Sequence, residues 1–514
     1  MRPRITLLHL LLGLVLAVLV ASPVQAFHFP WDQGHDTFRP NPPDDSEKPE
    51  CPHEDNRCET GNPVDIGAGD KIQRSVDFTF PGFGPQLALI RAYHSQNLSN
   101  GPFGFGWHSN LTERLILVTD GETNTAIAVQ GNGKRKRFTQ KTDGSWASAP
   151  GTYQTLTVAA DGSAELRGKQ GTTRFFDRTG RLTRIEDRYS NALTLTYDTA
   201  GVIASATAAS GRTLTFTKGA DSRIAGVSNP LGQTFRYAYD AEGRLTSVTD
   251  PLGGETRYTY HDDGNLHTVV DPRGNTAITL SYDDQDRVTR EVLADGATIS
   301  FNYVSDTETR VTDERSNTTV YKLNETGNPI EITDPLGRIT QSTWDANYNR
   351  TSSTDARDNT TTYEYDGSGN LIKTTDALGQ ETRYTYEPTF NQVATETDPD
   401  GFTTTYAHDG KGNPVRITDA LGKVTRMTYD GRGLLASTID PLGNTTAFAY
   451  DTAGNLIKST DTLGQEATMT YDGVGNLLSL TNARGNTTTF AYDGLNRQTK
   501  LNHYALKVHR LLLD

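Results

Sequence analysis

Polar and apolar residues alternate in short runs over most of this chain, and Gly, Pro, Asn and Asp break the runs every few residues. Period-2 alternation bounded by turn formers predicts short β-strands with one covered face and one wet face. No helical period of any length interrupts it. From Gly61 to about Arg174, "DKIQRSVDFTF" and "YQTLTVAADGSAELRG" predict a small all-β domain, assigned to residues 59–175.

From Phe176 onward the alternation becomes periodic. An aromatic residue followed by Asp-x-x-Gly recurs as Tyr239, Tyr365, Tyr450 and Tyr471, with degenerate versions at Lys218, Tyr260, Leu323, Trp344 and His408. Sixteen such anchors run from Phe176 to Tyr492 at intervals of 20 to 22 residues. A fixed period of this length signals a repeat architecture. In the unit "YDAEGRLTSVTDPLGGETRYTY", a turn at Asp240 to Gly243 leads into a strand around Leu245 to Thr249. Asp250-Pro251-Leu252-Gly253 has the residue order of a type I turn. The second strand, Thr256 to Tyr260, sets Tyr258 and Tyr260 on one face and Arg257 and Thr259 on the other. Leu245 and Val248 differ in parity, which calls for a β-bulge. Each unit is thus a β-hairpin. The array over 176–497 is a meander too long to stay flat, so it is expected to coil into a spiral or partial β-shell.

The ends read differently. Arg2 and Arg4, an apolar run from Ile5 to Ala21 and the small-residue site Val24-Gln25-Ala26 predict a cleaved signal peptide over 1–26 and export through the secretory pathway. The destination is then periplasmic, cell-surface or secreted, with no membrane span after cleavage. Residues 27–58 form a Pro/Asp-rich linker ending in the only cysteines, Cys51 and Cys58, a disulfide candidate in an exported chain. Residues 498–514 form an off-register tail, consistent with a shortened gene product or a cap.

Composition narrows the function. The chain carries a net charge of −14, and −16 once Arg2 and Arg4 leave with the leader, which disfavours nucleic-acid binding. The basic run Lys134-Arg135-Lys136-Arg137 reads as a solvated strand face. Histidines are scattered, including His94, His108, His261, His267 and His408, and none has metal-ligand spacing. Asp250, Asp271, Asp334 and Asp440 each precede Pro and read as turn residues rather than acid–base groups. No catalytic, cofactor-binding or metal-binding residue is expected, and the chain reads as non-enzymatic. The tyrosine rows could stack sugars, although cross-strand packing accounts for them first.

The repeat "YDAEGRLTSVTDPLGGETRYTY" and its relatives resemble the YD repeats of Rhs and wall-associated proteins. The stretch from "CETGNPVDIGAGDK" to "GPFGFGWHSNL" resembles the domain that often opens them. The resemblance implies a spiralling β-sheet shell. In toxin-bearing members that shell surrounds a C-terminal toxin, preceded by a core with self-cleaving aspartates. Other members are assigned to surface binding, often of carbohydrate. No such core or toxin is visible after Arg497. Two expectations follow: an exported surface or envelope binding module with a carbohydrate or cell-surface partner, or a shell fragment of a toxin-delivery protein. Self-association through the C-terminal edge strand is expected of either.

Overall fold

The computed structural model describes residues 59–60, 64–97, 99–120 and 123–502. The leader, the linker with Cys51 and Cys58, and residues 503–514 lie outside them. Every regular element among the described residues is a β-strand. Thirty-four strands, from Gln154–Val158 to Gln498–Asn502, form one antiparallel sheet in which each strand pairs with its sequence neighbours. The sheet therefore starts ahead of the first anchor at Phe176 and takes in the beginning of the tail. Gln498 pairs with Tyr492, so the final edge among the described residues belongs to Gln498–Asn502.

The repeated residues explain the repeated geometry. Most anchors end a strand, and the tyrosines among them donate a hydroxyl to a carbonyl about fifteen residues back: Tyr260 to Leu245 at 2.8 Å, Tyr386 to Leu371 at 2.7 Å, Tyr471 to Leu456 at 2.9 Å. The ring lies over the preceding hairpin while its polar tip satisfies a backbone acceptor. The Asp that follows caps the turn. Asp366 Oδ1 accepts from the N–H groups of Ser368 and Asn370, both at 2.9 Å, and Gly369 supplies the left-handed residue at φ 70°. The expected bulge is present. Ala238 faces Ser247 while Tyr239 faces Leu245, leaving Thr246 as the extra residue. Both Leu245 and Val248 thereby reach the covered face, 0% and 5% exposed.

Because strands alternate in direction, turns line two rims. The turns after each aromatic-Asp pair form the anchor rim; the mid-unit turns form the mid rim. Residues of the early mid rim meet the later anchor rim. Arg212 donates to Asn455 Oδ1 at 2.9 Å, 243 residues away, and Asn191 Nδ2 donates to the Arg432 carbonyl at 2.9 Å, 241 away. Lys169 reaches Asn370 at 3.1 Å, and Tyr153 hydrogen-bonds Asn349 at 3.1 Å. The ribbon thus spirals, and its second coil hangs rim to rim beneath the first. Twenty-three strands separate the strands after Arg212 and Asn455. At about 4.8 Å per strand, one coil is about 110 Å around and about 35 Å across.

The opening domain, 64–150, sits in one end of the spiral. Its backbone joins the anchor rim through Leu115 N–H to Gly180 O (2.8 Å), Phe105 N–H to Gly243 O (3.2 Å) and Val288 N–H to Gly69 O (2.9 Å). Its apolar side chains and the inward residues of the sheet from Leu156 to Leu323 form one continuous core. The basic run corrects an expectation: Lys134 and Lys136 are buried inside this domain, because the strand Arg135–Gln140 alternates Lys136 and Phe138 onto its packed side.

Candidate functional site: the lined interior

The inward face carries the same residue row throughout the spiral, with two different surroundings. In the first coil, Phe235 meets Phe78 edge-on with ring centroids 5.0 Å apart, Tyr237 meets Phe103 at 5.3 Å, and Tyr258 meets Trp107 at 5.2 Å. All three sheet residues are buried. A sheet that packs one face on a small domain across so many strands must be concave on that face. In the second coil, Tyr363, Tyr384, Tyr406 and Phe448 occupy the equivalent strand positions and are only half-buried. The aromatic row lines a space that the opening domain fills in the first coil.

Charged groups fasten that domain in place. Lys71 Nζ lies 2.8 Å from Glu291 Oε1, and both side chains are fully buried. Arg91 forks onto Asp77 at 2.6 and 2.9 Å, and the Tyr237 hydroxyl donates to the same carboxylate at 2.7 Å. Arg91 also lies over the Trp107 ring, 5.0 Å from its centroid. Burial opposes the charge on Arg91, yet Asp77 beside it holds the guanidinium firmly protonated.

The structure pairs histidines that the sequence left scattered. His94 and His108 have ring centroids 6.1 Å apart, and His261 and His267 4.2 Å apart. His94 Nδ1 lies 2.5 Å from Asp70 Oδ2. Burial pushes His108 down to about 3, so it stays neutral. Among the described residues no group of three His, Cys, Asp or Glu could hold a metal ion. Asp250 accepts the Leu252 and Gly254 N–H groups at 2.8 and 2.9 Å, the role its turn position implied. Asp271, Asp334 and Asp440 do the same at their turns. A shallow depression of about 430 Å³ on the second coil is lined by Glu364, Asp366, Lys373, Arg383, Tyr384 and Tyr386.

Comparisons with known proteins agree with this geometry. Residues 334–512 match the teneurin YD-shell family. Three overlapping segments, 220–255, 239–276 and 260–298, match the RHS repeat, and 61–138 match a domain of unknown function (DUF6531). The tRNA nuclease WapA of Bacillus subtilis (strain 168) is 34% identical over 131 residues, 25% of this chain and 5% of that protein. The tRNA3(Ser)-specific nuclease WapA of Bacillus spizizenii matches equally. Among solved structures, the TcdB2-TccC3-Cdc42 crystal structure aligns over 82% of this chain and 27% of its own, at 15% identity and TM-score 0.47. The Photorhabdus luminescens Tc holotoxin pore aligns over 79% and 26%, at 16% identity and TM-score 0.43. The chain thus spans about a twentieth of the curated relatives and about a quarter of these structures. Repeats in register, staple tyrosines, capping aspartates and a coiled meander go with RHS-repeat sequence over 220–298 and teneurin YD-shell sequence over 334–512.

Proposed function

We propose that this chain is an exported, non-catalytic container wall that holds a polypeptide against its inward aromatic face. One observation carries the reading: the row that is buried against the opening domain at Phe235, Tyr237 and Tyr258 continues half-covered at Tyr363, Tyr384 and Tyr406. A concave, aromatic-lined surface beside a filled one suits a second occupant of similar chemistry. The nuclease relatives support a cargo that needs enclosure, and the leader-like residues 1–26 support export. The test is capture of a permanently unfolded probe, reduced and carboxymethylated α-lactalbumin, by the mature chain. Co-elution and protection from trypsin are expected, with loss in the Tyr363→Ser/Tyr384→Ser/Tyr406→Ser variant. Equal capture by that variant overturns the reading.

A second reading, a surface module that binds carbohydrate, draws on the depression where Tyr384 and Tyr386 stand among Asp366, Lys373 and Arg383. Aromatic faces beside charged donors and acceptors suit a sugar ring. Retention on a glycan array, abolished by Tyr384→Ala, favours this reading over the first.

A further inference from the structure

We propose that two copies of this chain join mouth to mouth through the free mid rim, closing two open shells into one capsule. The inference does not depend on what the interior holds.

The observation is a row of leucines at one position of the mid-unit turn. Leu231 and Leu252, in the first coil, are 49% and 52% exposed. Leu336, Leu378, Leu421, Leu442 and Leu463 hold the same turn position further along and are 76–87% exposed. The difference has a visible cause. Leu231 Cδ2 lies 3.3 Å from where a Cβ on Gly473 would stand, and Leu252 Cδ2 lies 3.0 Å from the same point on Gly494. The mid-rim leucines of the first coil therefore pack on the rim of the second. Single exposed leucines are ordinary surface, but an aligned series at one turn position is a contact waiting for its partner.

The fold limits what a second copy can offer. The anchor rim of the first coil is engaged by the opening domain at Gly180, Gly243 and Val288. The anchor rim of the second coil is engaged by the first coil at Asn349, Asn370, Arg432 and Asn455. Among the described residues, the mid rim from Asp271 to Gly485 remains, nearly a full circumference. The contact between copies is then isologous, rim against the same rim. A two-fold axis between the 398–401 and 419–422 turns sets exposed Asp400 opposite exposed Lys423 twice over, and Leu378 opposite Leu442. That axis pairs the eight mid turns from 334–337 to 482–485, and about 77 Å of rim, one sheet (about 10 Å) thick, offers about 770 Å² per copy. That is close to the roughly 800 Å² per partner of a standard interface.

The test is sedimentation equilibrium of the mature chain up to about 100 μM, which populates a complex of micromolar Kd. A dimer is expected. Leu378→Arg/Leu442→Arg should raise its Kd at least about tenfold with an unchanged melting midpoint, since both side chains are solvent-exposed in the single shell. Asp400→Lys should weaken the dimer, and Asp400→Lys/Lys423→Asp should restore it. A wild-type chain that stays monomeric overturns the proposal and leaves the anchor rim of a separate YD-repeat sheet as the occupant. A dimer untouched by the leucine pair also overturns it and points to the C-terminal edge strand.

Discussion

Lys71→Met should release the opening domain from the spiral. The Lys71 ammonium and the Glu291 carboxylate lie 2.8 Å apart, and neither side chain is exposed. Removing the cation takes from the buried carboxylate the ammonium 2.8 Å away, and breaking a buried pair in this way costs about 3–5 kcal/mol. Removing both charges in Lys71→Met/Glu291→Leu restores an apolar contact of similar volume. Such replacements are commonly neutral, or stabilising by about 1–4 kcal/mol. The expected order of stability is therefore double variant at or above wild type, with the single variant well below both. Urea unfolding followed by circular dichroism measures it, and limited trypsin digestion locates the loss at the opening domain. Equal destabilisation in the single and double variants would refute the reasoning, because the penalty would then not come from the loss of the ammonium beside Glu291.

Other consequences are open to measurement. Partial burial raises the Asp177 carboxyl, but the Thr179 hydroxyl and the Arg181 backbone and guanidinium outweigh it and hold the group at about 2; the Asn275 N–H holds Asp271 at about 2 as well. Their folded values lie below the usual 3.9 or so, so they stabilise the fold above pH 4 and cease to do so as pH falls to 2. Melting midpoints should drop across that window, and Asp177→Asn/Asp271→Asn should flatten the drop. Burial pushes the staple hydroxyls of Tyr386, Tyr450 and Tyr471 up to about 12. With folded values above the unfolded 10 or so, their contribution is intact below pH 10 and lost as pH rises to 12, which alkaline melts can follow. Tyr450→Phe removes the 3.0 Å bond to the Leu435 carbonyl and should cost about 1 kcal/mol. Cys51 and Cys58, outside the described residues, are expected to be bridged after export; mass spectrometry of secreted material finding two free thiols would contradict this.

The repeat was legible because its information is local. Anchor spacing located most strand ends, the Asp-Pro-Leu-Gly order located the mid turns at Asp250, Asp334 and Asp440, and the parity of Leu245 and Val248 demanded the bulge now seen at Thr246. Contacts between coils were not legible. Arg212 and Asn455 are 243 residues apart, and which turn meets which depends on the accumulated twist of many strands. Leu231 and Leu378 look alike in sequence, although one is half-covered and the other is bare. The docking of the opening domain was equally hidden. Lys71 and Glu291 carry no pattern that marks them as partners. Lys136 reads as surface until its strand is seen to turn that side chain inward beside Phe138. The tail misled because a missing turn motif does not stop Gln498–Asn502 from completing a ladder.

The central claim is that the ribbon closes on itself as a spiral shell, and small-angle X-ray scattering of the mature chain tests it most directly. Thirty-four strands laid out as an uncoiled ribbon would extend about 160 Å, with a radius of gyration of about 47 Å. A compact globule of this chain length has a radius of about 23 Å, and a hollow shell lies slightly above it. The account predicts a radius of about 25 Å per shell, with a pair-distance distribution skewed toward long vectors, as for a hollow body. A radius above about 40 Å, with the cross-sectional signature of a rod, would contradict it.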